Sequence, residues 1–442
     1  MSISFGRAAQ IFRPIAWATA VLVALAGDAS AQHDNATAAL EALDRLTPTA
    51  LVAAIDAANP ELLSMAAAAE ATALRVVPAG ALVDPMLSYG IAPRTIGSDT
   101  RHIVEFSQPL PWPGKRGLRR SAAAQDAESV AQAVQMTRLE LHAHAQSSFA
   151  EWHYLDRAIE LNVTTSDLLA ELARVAGARY AAGRGSQQDV LQAELEHALL
   201  QEKRLGLEHA RTALRARINA LANRDPAASL PPPTAIPAPT PLPSVDALRR
   251  GVELAHPELR RDEARLAATS ARRDLADLAF RPDFSANVGY MGIMESDDMR
   301  LQVGLSINLP IFREKRRADL DAATADLRRD HYALEAQRTK ILAELESAYA
   351  HTHHAIEAVG LYESRLLGLA ESNLNAALAD YRSGAGQFLV VVDAERRLLA
   401  IREAHERARA DYWRMRAELD LAAGGTLSAA EQAIPLTSRV PR

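Results

Sequence analysis

The sequence predicts a mainly α-helical fold in which two tandem copies of a long helical hairpin each follow a pair of β-strands, giving four strands per chain. Three observations predict it: an internal repeat of about 200 residues, proline-free helical runs longer than any ordinary globular helix, and strands in which apolar and polar residues alternate.

Composition sets the outer limits. The chain has 442 residues, 24% of them charged and 48% hydrophobic, enough apolar content for a sizeable core. With 55 acidic and 49 basic residues the net charge is −6, which exerts no general pull on nucleic acid. No cysteine is present, which excludes disulfides, thiolate metal sites and a lipid-modified N-terminal cysteine. At the N-terminus Arg7 and Arg13 precede an apolar run from Ile15 to Ala26 and the small-x-small site Ala29-Ser30-Ala31. That order predicts a signal peptide over residues 1–31 and export from the cytoplasm. The run is too short for the ~20 residues of a membrane-spanning helix, and no later stretch is expected to reach that length.

The repeat shows in four anchors that keep their order. Asn59-Pro60-Glu61-Leu62 returns as His256-Pro257-Glu258-Leu259, and the strand opener near Pro85 returns near Pro282. Leu110-Pro111 returns as Leu309-Pro310, each followed by a basic cluster: Lys115, Arg116, Arg119 and Arg120, then Arg313, Lys315, Arg316 and Arg317. Tyr180, Gly183 and Gly185, leading to Ala193-Glu194, return as Tyr381, Gly384 and Gly386, leading to Ala394-Glu395. These anchors place repeat 1 over 32–225 and repeat 2 over 244–424, with a tail over 425–442. Between the repeats, eight prolines from Pro226 to Pro243 forbid helix and favour an extended linker over 226–243.

Within each repeat the order is a helix, a strand pair and a helical hairpin. The strand pairs fall at about 84–109 and 282–309, and the hairpins at about 119–223 and 313–423. Leu200, Leu207, Leu214 and Leu221 stand seven residues apart with Ile218 beside them, a coiled-coil seam. Met299, Leu301, Val303, Leu305, Ile307 and Leu309 alternate with polar or small residues, and Phe284, Ala286, Val288 and Tyr290 do the same on the partner strand. Glu295-Ser296-Asp297-Asp298 is expected to be the polar turn between them, and Pro93 to Arg101 the loop of the first pair. Each strand of the second pair approaches the ~9–11 residues that a tilted strand needs to cross a bilayer. Four strands cannot close a barrel, since the smallest membrane barrels have about eight, so spanning strands require several chains to share one.

No phosphate-binding glycine loop, no His-Glu-x-x-His and no Gly-x-Ser-x-Gly occurs, so nothing points to an enzyme or a cofactor. A soluble periplasmic coiled-coil adaptor or scaffold accounts for the helices, but it leaves the two-faced strands without a purpose.

Signal peptide, tandem repeat, strand pair before a very long helical hairpin, and a Tyr-x-x-Gly turn in each hairpin together make the chain resemble the TolC-like outer-membrane efflux family. The resemblance implies a homotrimer in the Gram-negative outer membrane. Its strands would share one trimeric β-barrel in contact with outer-membrane lipid, continued through the periplasm by a coiled-coil α-barrel. It implies a periplasmic adaptor and an RND-type inner-membrane pump as partners. It also implies that the hairpin turns, Tyr180, Gly183, Gly185, Tyr381, Gly384 and Gly386, lie at the periplasmic mouth. Of the family's two acidic pore positions, Asp393 matches one, while the other is Val390 here. Gln108-Pro-Leu-Pro-Trp112-Pro-Gly-Lys-Arg116 looks like the branch that serves heavy-metal efflux. His351 and His354 share a helix face at i, i+3 spacing, and His153 corresponds to His353, which makes these four the candidates for a metal. No carboxylate or cysteine completes a ligand set around them, so solvated helix positions are the simpler reading.

Overall fold

The computed structural model describes residue 40 and residues 43–92, 101–293 and 296–427. The signal peptide, the loop over 93–100, Glu295 and the tail beyond 427 lie outside the described residues. The elements run α1 Pro48–Ala58, α2 Pro60–Leu74, α3 Val76–Gly80, β1 Met86–Ala92, β2 Arg101–Leu110, α4 Lys115–Ala181 and α5 Gln187–Leu221. After the linker come α6 Val245–Ala255, α7 Pro257–Asp277, β3 Phe284–Ile293, β4 Ser296–Ile307, α8 Arg313–Leu361, α9 Leu367–Ser383 and α10 Phe388–Ala422. Three sequence expectations are corrected. Arg101, expected to end the first loop, is the first residue of β2 and pairs with Ala92. Ser296, Asp297 and Asp298 belong to β4 and not to a turn, because the strand's hydrogen bonding with β3 extends to the Ile293–Ser296 pair. Residues 60–80 are long and apolar enough to cross a membrane by length and composition, since serial alanines outweigh Glu61, Glu70 and Arg75.

The sheet is four-stranded and antiparallel in the order β1-β2-β3-β4. Its register makes the period-two pattern of the sequence into two faces. Leu87, Phe106, Val288 and Val303 form one row across all four strands, and Tyr89, Val104, Tyr290 and Leu301 form the next. On the opposite face Ser88, Glu105, Gly289 and Gln302 form a row, and Ser107 donates to the Asn287 side chain at 2.7 Å. The apolar face is not a core: Leu87, Leu301, Val303 and Leu305 are each more than 70% exposed.

The described residues group into two compact units, and each draws on both repeats. The first contains the sheet and takes residues 64–137 and 249–344. Here Lys115, buried at the start of α4, donates to Asp283 at 2.8 Å and to the Arg281 carbonyl at 2.9 Å. Asp330 of α8, itself buried, accepts from Thr269 of α7 at 2.7 Å, and Arg272 of α7 pairs with Asp126 of α4. Arg116 donates its Nε to the Gly80 carbonyl at 2.9 Å, and Arg316 donates its Nε to the Ala279 carbonyl at 2.8 Å, the same contact in each repeat.

The second unit takes the described residues up to 63, 138–248 and from 345 onward. Of the 67 residues of α4 those from 138 onward belong to this unit, and the helix is long because nothing in it breaks the ladder. The predicted seam on α5 is buried at Leu200, Leu214 and Ile218. A five-residue π turn, Tyr362–Leu366, sits between α8 and α9. It accounts for a slip in the repeat, since His153 and His353 are one residue closer in number than Tyr180 and Tyr381, and a π turn absorbs one extra residue. The proline linker is extended and tied down through its carbonyls, the groups that prolines retain. Trp152 and Trp413 donate their indole N–H to the Pro231 and Pro237 carbonyls, each at 3.1 Å, and Leu46 donates its N–H to the Pro232 carbonyl at 2.9 Å and accepts from the Thr234 N–H at 2.8 Å.

Candidate functional site

The two hairpin turns are built alike. α4 ends at Ala181 and Gly183 follows at φ +70°; α9 ends at Ser383 and Gly384 follows at φ +83°. Both lie in the left-handed region, where a Cβ is penalised. The next glycine is needed for a different reason, close approach. A Cβ on Gly185 would stand 3.2 Å from the Tyr180 nitrogen, and one on Gly386 would stand 2.9 Å from Asp380 Cβ. The outgoing helices start differently. Ser186 caps α5 in a reciprocal pair with Asp189, whereas Gln387 offers α10 no side-chain cap.

The tyrosines of the two turns have unlike surroundings. Tyr381 is buried against Phe388, with the Arg179 guanidinium 4.4 Å from its ring centre, a cation–π contact. Tyr180 is half exposed. Beyond the second turn α10 buries Phe388, Val391 and Val392 and exposes Leu389 and Val390. Asp393 lies on the accessible side, its carboxylate 2.9 Å from Arg397 one turn on. Glu395, by contrast, is buried, and desolvation raises its pKa against the opposing pull of Arg402. Nearby, Arg396 pairs with Glu196 and Lys203 with Glu403, joining α10 to α5.

The histidines do not assemble. His153 is buried, and burial together with Arg409 and Arg157 lowers its pKa to about 4. His351, His353 and His354 are exposed, and His353 faces Glu357 at 3.8 Å. Among the described residues no group of three or more histidine, aspartate or glutamate side chains could hold a metal. Sequence reasoning missed Arg397, although its i, i+4 spacing from Asp393 was readable. It also missed the stacking of Arg179 on Tyr381, which no local pattern signals.

Residues 251–425 match the profile of the family described as outer membrane efflux protein. The cobalt-zinc-cadmium resistance protein CzcC of Cupriavidus metallidurans is 26% identical over 417 residues, covering 89% of this chain and 94% of that one. The second repeat matches the outer membrane efflux family. The outer-membrane channel OprN superposes with a TM-score of 0.73 at 22% identity, over 86% of this chain and 90% of OprN. The open state of the Neisseria gonorrhoeae channel MtrE gives 0.73 at 19%, over 85% and 88%. Proteins of this family are passive channels and not enzymes, set in the Gram-negative outer membrane and reaching into the periplasm. Efflux proteins of this family form trimers and work with a periplasmic adaptor and an inner-membrane pump. The soluble adaptor reading falls away.

Proposed function

We propose that this channel discharges heavy-metal cations delivered by an RND-type pump, and that its periplasmic mouth is formed by the two hairpin turns with Val390 and Asp393 facing the pore. The observation that carries the cargo is the likeness to a cobalt-zinc-cadmium resistance protein along nearly the full length of both chains. The mouth assignment rests on the accessible side of α10, where Leu389, Val390 and Asp393 are offered beside buried neighbours. A channel that passes cations needs weak, exchangeable contacts, and scattered exposed histidines suit that better than a closed ligand set. The apolar face of the sheet is in contact with outer-membrane lipid, its exposed leucines and valines taking the place that hydrocarbon would otherwise fill.

The test is a strain that lacks this chain and retains its adaptor and pump. Loss of zinc, cobalt or cadmium tolerance, restored by the full chain, is the expected result. Unchanged metal tolerance with lost tolerance to organic drugs would sink the cargo assignment.

A further inference from the structure

At the end nearest the helices, the apolar face of the sheet finishes in a row made by Leu110, Phe284 and Ile307. An aromatic and cationic stack caps that row. The Trp112 ring lies on Phe284, with centres 5.9 Å apart and planes 25° apart, and the Arg281 guanidinium stands 6.0 Å from the Trp112 ring centre. Stacking of this kind positions a guanidinium without occupying its N–H donors. Both polar ends of the stack are in fact unused: among the described residues the Arg281 guanidinium makes no hydrogen bond or ion pair, and the Trp112 indole N–H has no acceptor. Trp152 and Trp413, by contrast, both donate to linker carbonyls. Asp283, two residues from Arg281, is already engaged, accepting the Trp112 backbone N–H at 2.7 Å and the Lys115 ammonium at 2.8 Å. Arg281 is exposed and Trp112 half-buried, so a ligand can reach both.

Charge, hydrocarbon and position together select the occupant. The turns that lead into α4 and α8, residues 113–120 and 311–317, hold eight basic residues and one acidic residue in a chain whose net charge is −6. An anion is therefore favoured there. Leu110 and Ile307 are exposed and continue into the bare rows above them, so the occupant also carries hydrocarbon. A second copy of this chain does not fit, because Trp112 and Arg281 flank the β2–β3 seam inside one chain, away from the open edges at β1 and β4. An anionic phospholipid has the required parts. Its phosphate oxygens accept from a guanidinium and an indole N–H, and its acyl chains lie along the apolar rows. Tryptophan suits the boundary between them, with a ring in hydrocarbon and a donor among headgroups. A zwitterionic headgroup would bring an ammonium into the same basic surroundings, at an electrostatic cost.

We propose that Arg281 and Trp112 bind the phosphate of an anionic phospholipid in the periplasmic leaflet, its acyl chains running along Leu110, Phe284 and Ile307. The site rests on the reading of the apolar sheet face as lipid-facing, and it gives the Gln108 to Arg116 segment a role that neither the cargo nor the mouth supplies. It occurs once in each chain, because the repeat-related positions are Leu82 for Arg281 and Ile311 for Trp112, neither of which can donate from its side chain.

Native mass measurement of the full-length trimer in mild detergent tests this, with phosphatidylglycerol, phosphatidylcholine or inorganic phosphate added separately and in competition. Phosphatidylglycerol should be retained at one per chain and in preference to phosphatidylcholine. Arg281→Gln should weaken its retention about fivefold, the contribution of one basic group near an anionic surface, and leave phosphatidylcholine unchanged. Trp112→Phe keeps the stack and removes the donor, so it should also narrow the preference while the trimer mass stays the same. Equal retention of the two lipids by the unaltered trimer, or a preference that survives both substitutions, overturns the proposal. Displacement of phosphatidylglycerol by inorganic phosphate at equal concentration overturns it in favour of a free anion. A trimer that retains neither lipid overturns the lipid-facing reading of the sheet itself.

Discussion

Asp393 and Arg397 stand 2.9 Å apart on the accessible side of α10, so any ring that Asp393 forms carries its own counter-charge. Three paired carboxylates select cations weakly, which gives the substitutions opposite signs. Asp393→Asn strips the acid and leaves three arginines, so planar-bilayer recordings at 0.01 M salt should move toward anion preference. Arg397→Gln should strengthen cation preference, and so should Val390→Asp by adding a second acidic ring. All three differences should fade at 1 M, where the Debye length falls from about 30 Å to about 3 Å. Selectivity that ignores all three changes at low salt would put this side of α10 away from the pore. His256 supplies a second expectation. It is buried at the start of α7, its Nδ1 accepts the Glu258 N–H at 3.2 Å, and burial lowers its pKa from 6.5 to about 4. Because the folded state holds the ring neutral, its contribution is complete above pH 6.5 and is lost as the pH falls toward 4. The loss is on the order of 3 kcal/mol. Asn59 caps α2 at the related position with an oxygen that accepts from Glu61 and Leu62 and does not titrate in this range. His256→Asn should therefore flatten the fall in melting temperature between pH 7.5 and pH 5, leaving the share due to His153. An unchanged slope would mean that His256 is not the group responsible.

The π turn at Tyr362–Leu366 makes a prediction at the scale of one element. If it holds the extra residue of repeat 2, deleting Ser364 inside it should return the helix to plain α geometry and keep every later residue on its face. Deleting Ala348 within α8 instead rotates the later part of the hairpin by about 100° relative to the earlier part, turning the buried faces outward. The first variant should still give protease-resistant trimers in membranes and the second should not; equal damage from both would refute this account of the turn. Most elements were readable in the sequence. The strands showed their period of two, the seam on α5 showed its sevenfold spacing, and the glycines marked both reversals, because each of these is a local pattern. Tertiary surroundings were not readable in that way. Tyr180 and Tyr381 occupy matching places in the motif, yet only Tyr381 is covered, because Arg179 and Phe388 come to it from other segments. His153 and His353 match in sequence as well, one buried and the other exposed, so matching numbers implied a shared site that the helices do not form.

For the whole molecule, four strands with two free edges set a minimum stoichiometry, and mass measurement in mild detergent should find a trimer. The same edges bear on what happens before assembly. A newly exported chain carries two rows of unpaired backbone N–H and C=O groups beside a sheet face whose leucines and valines are bare. In water such a species has a short useful life, since any strand that meets an edge can bond to it, including a wrong copy in a wrong register. Maturation is then a kinetic race, and yield should depend on how fast three correct chains meet compared with how fast chains associate nonproductively. Raising expression does not simply raise output, because productive and nonproductive encounters both accelerate with concentration. A cell that makes this channel gains more from delivering chains to the membrane one at a time, with their edges covered, than from making more of them.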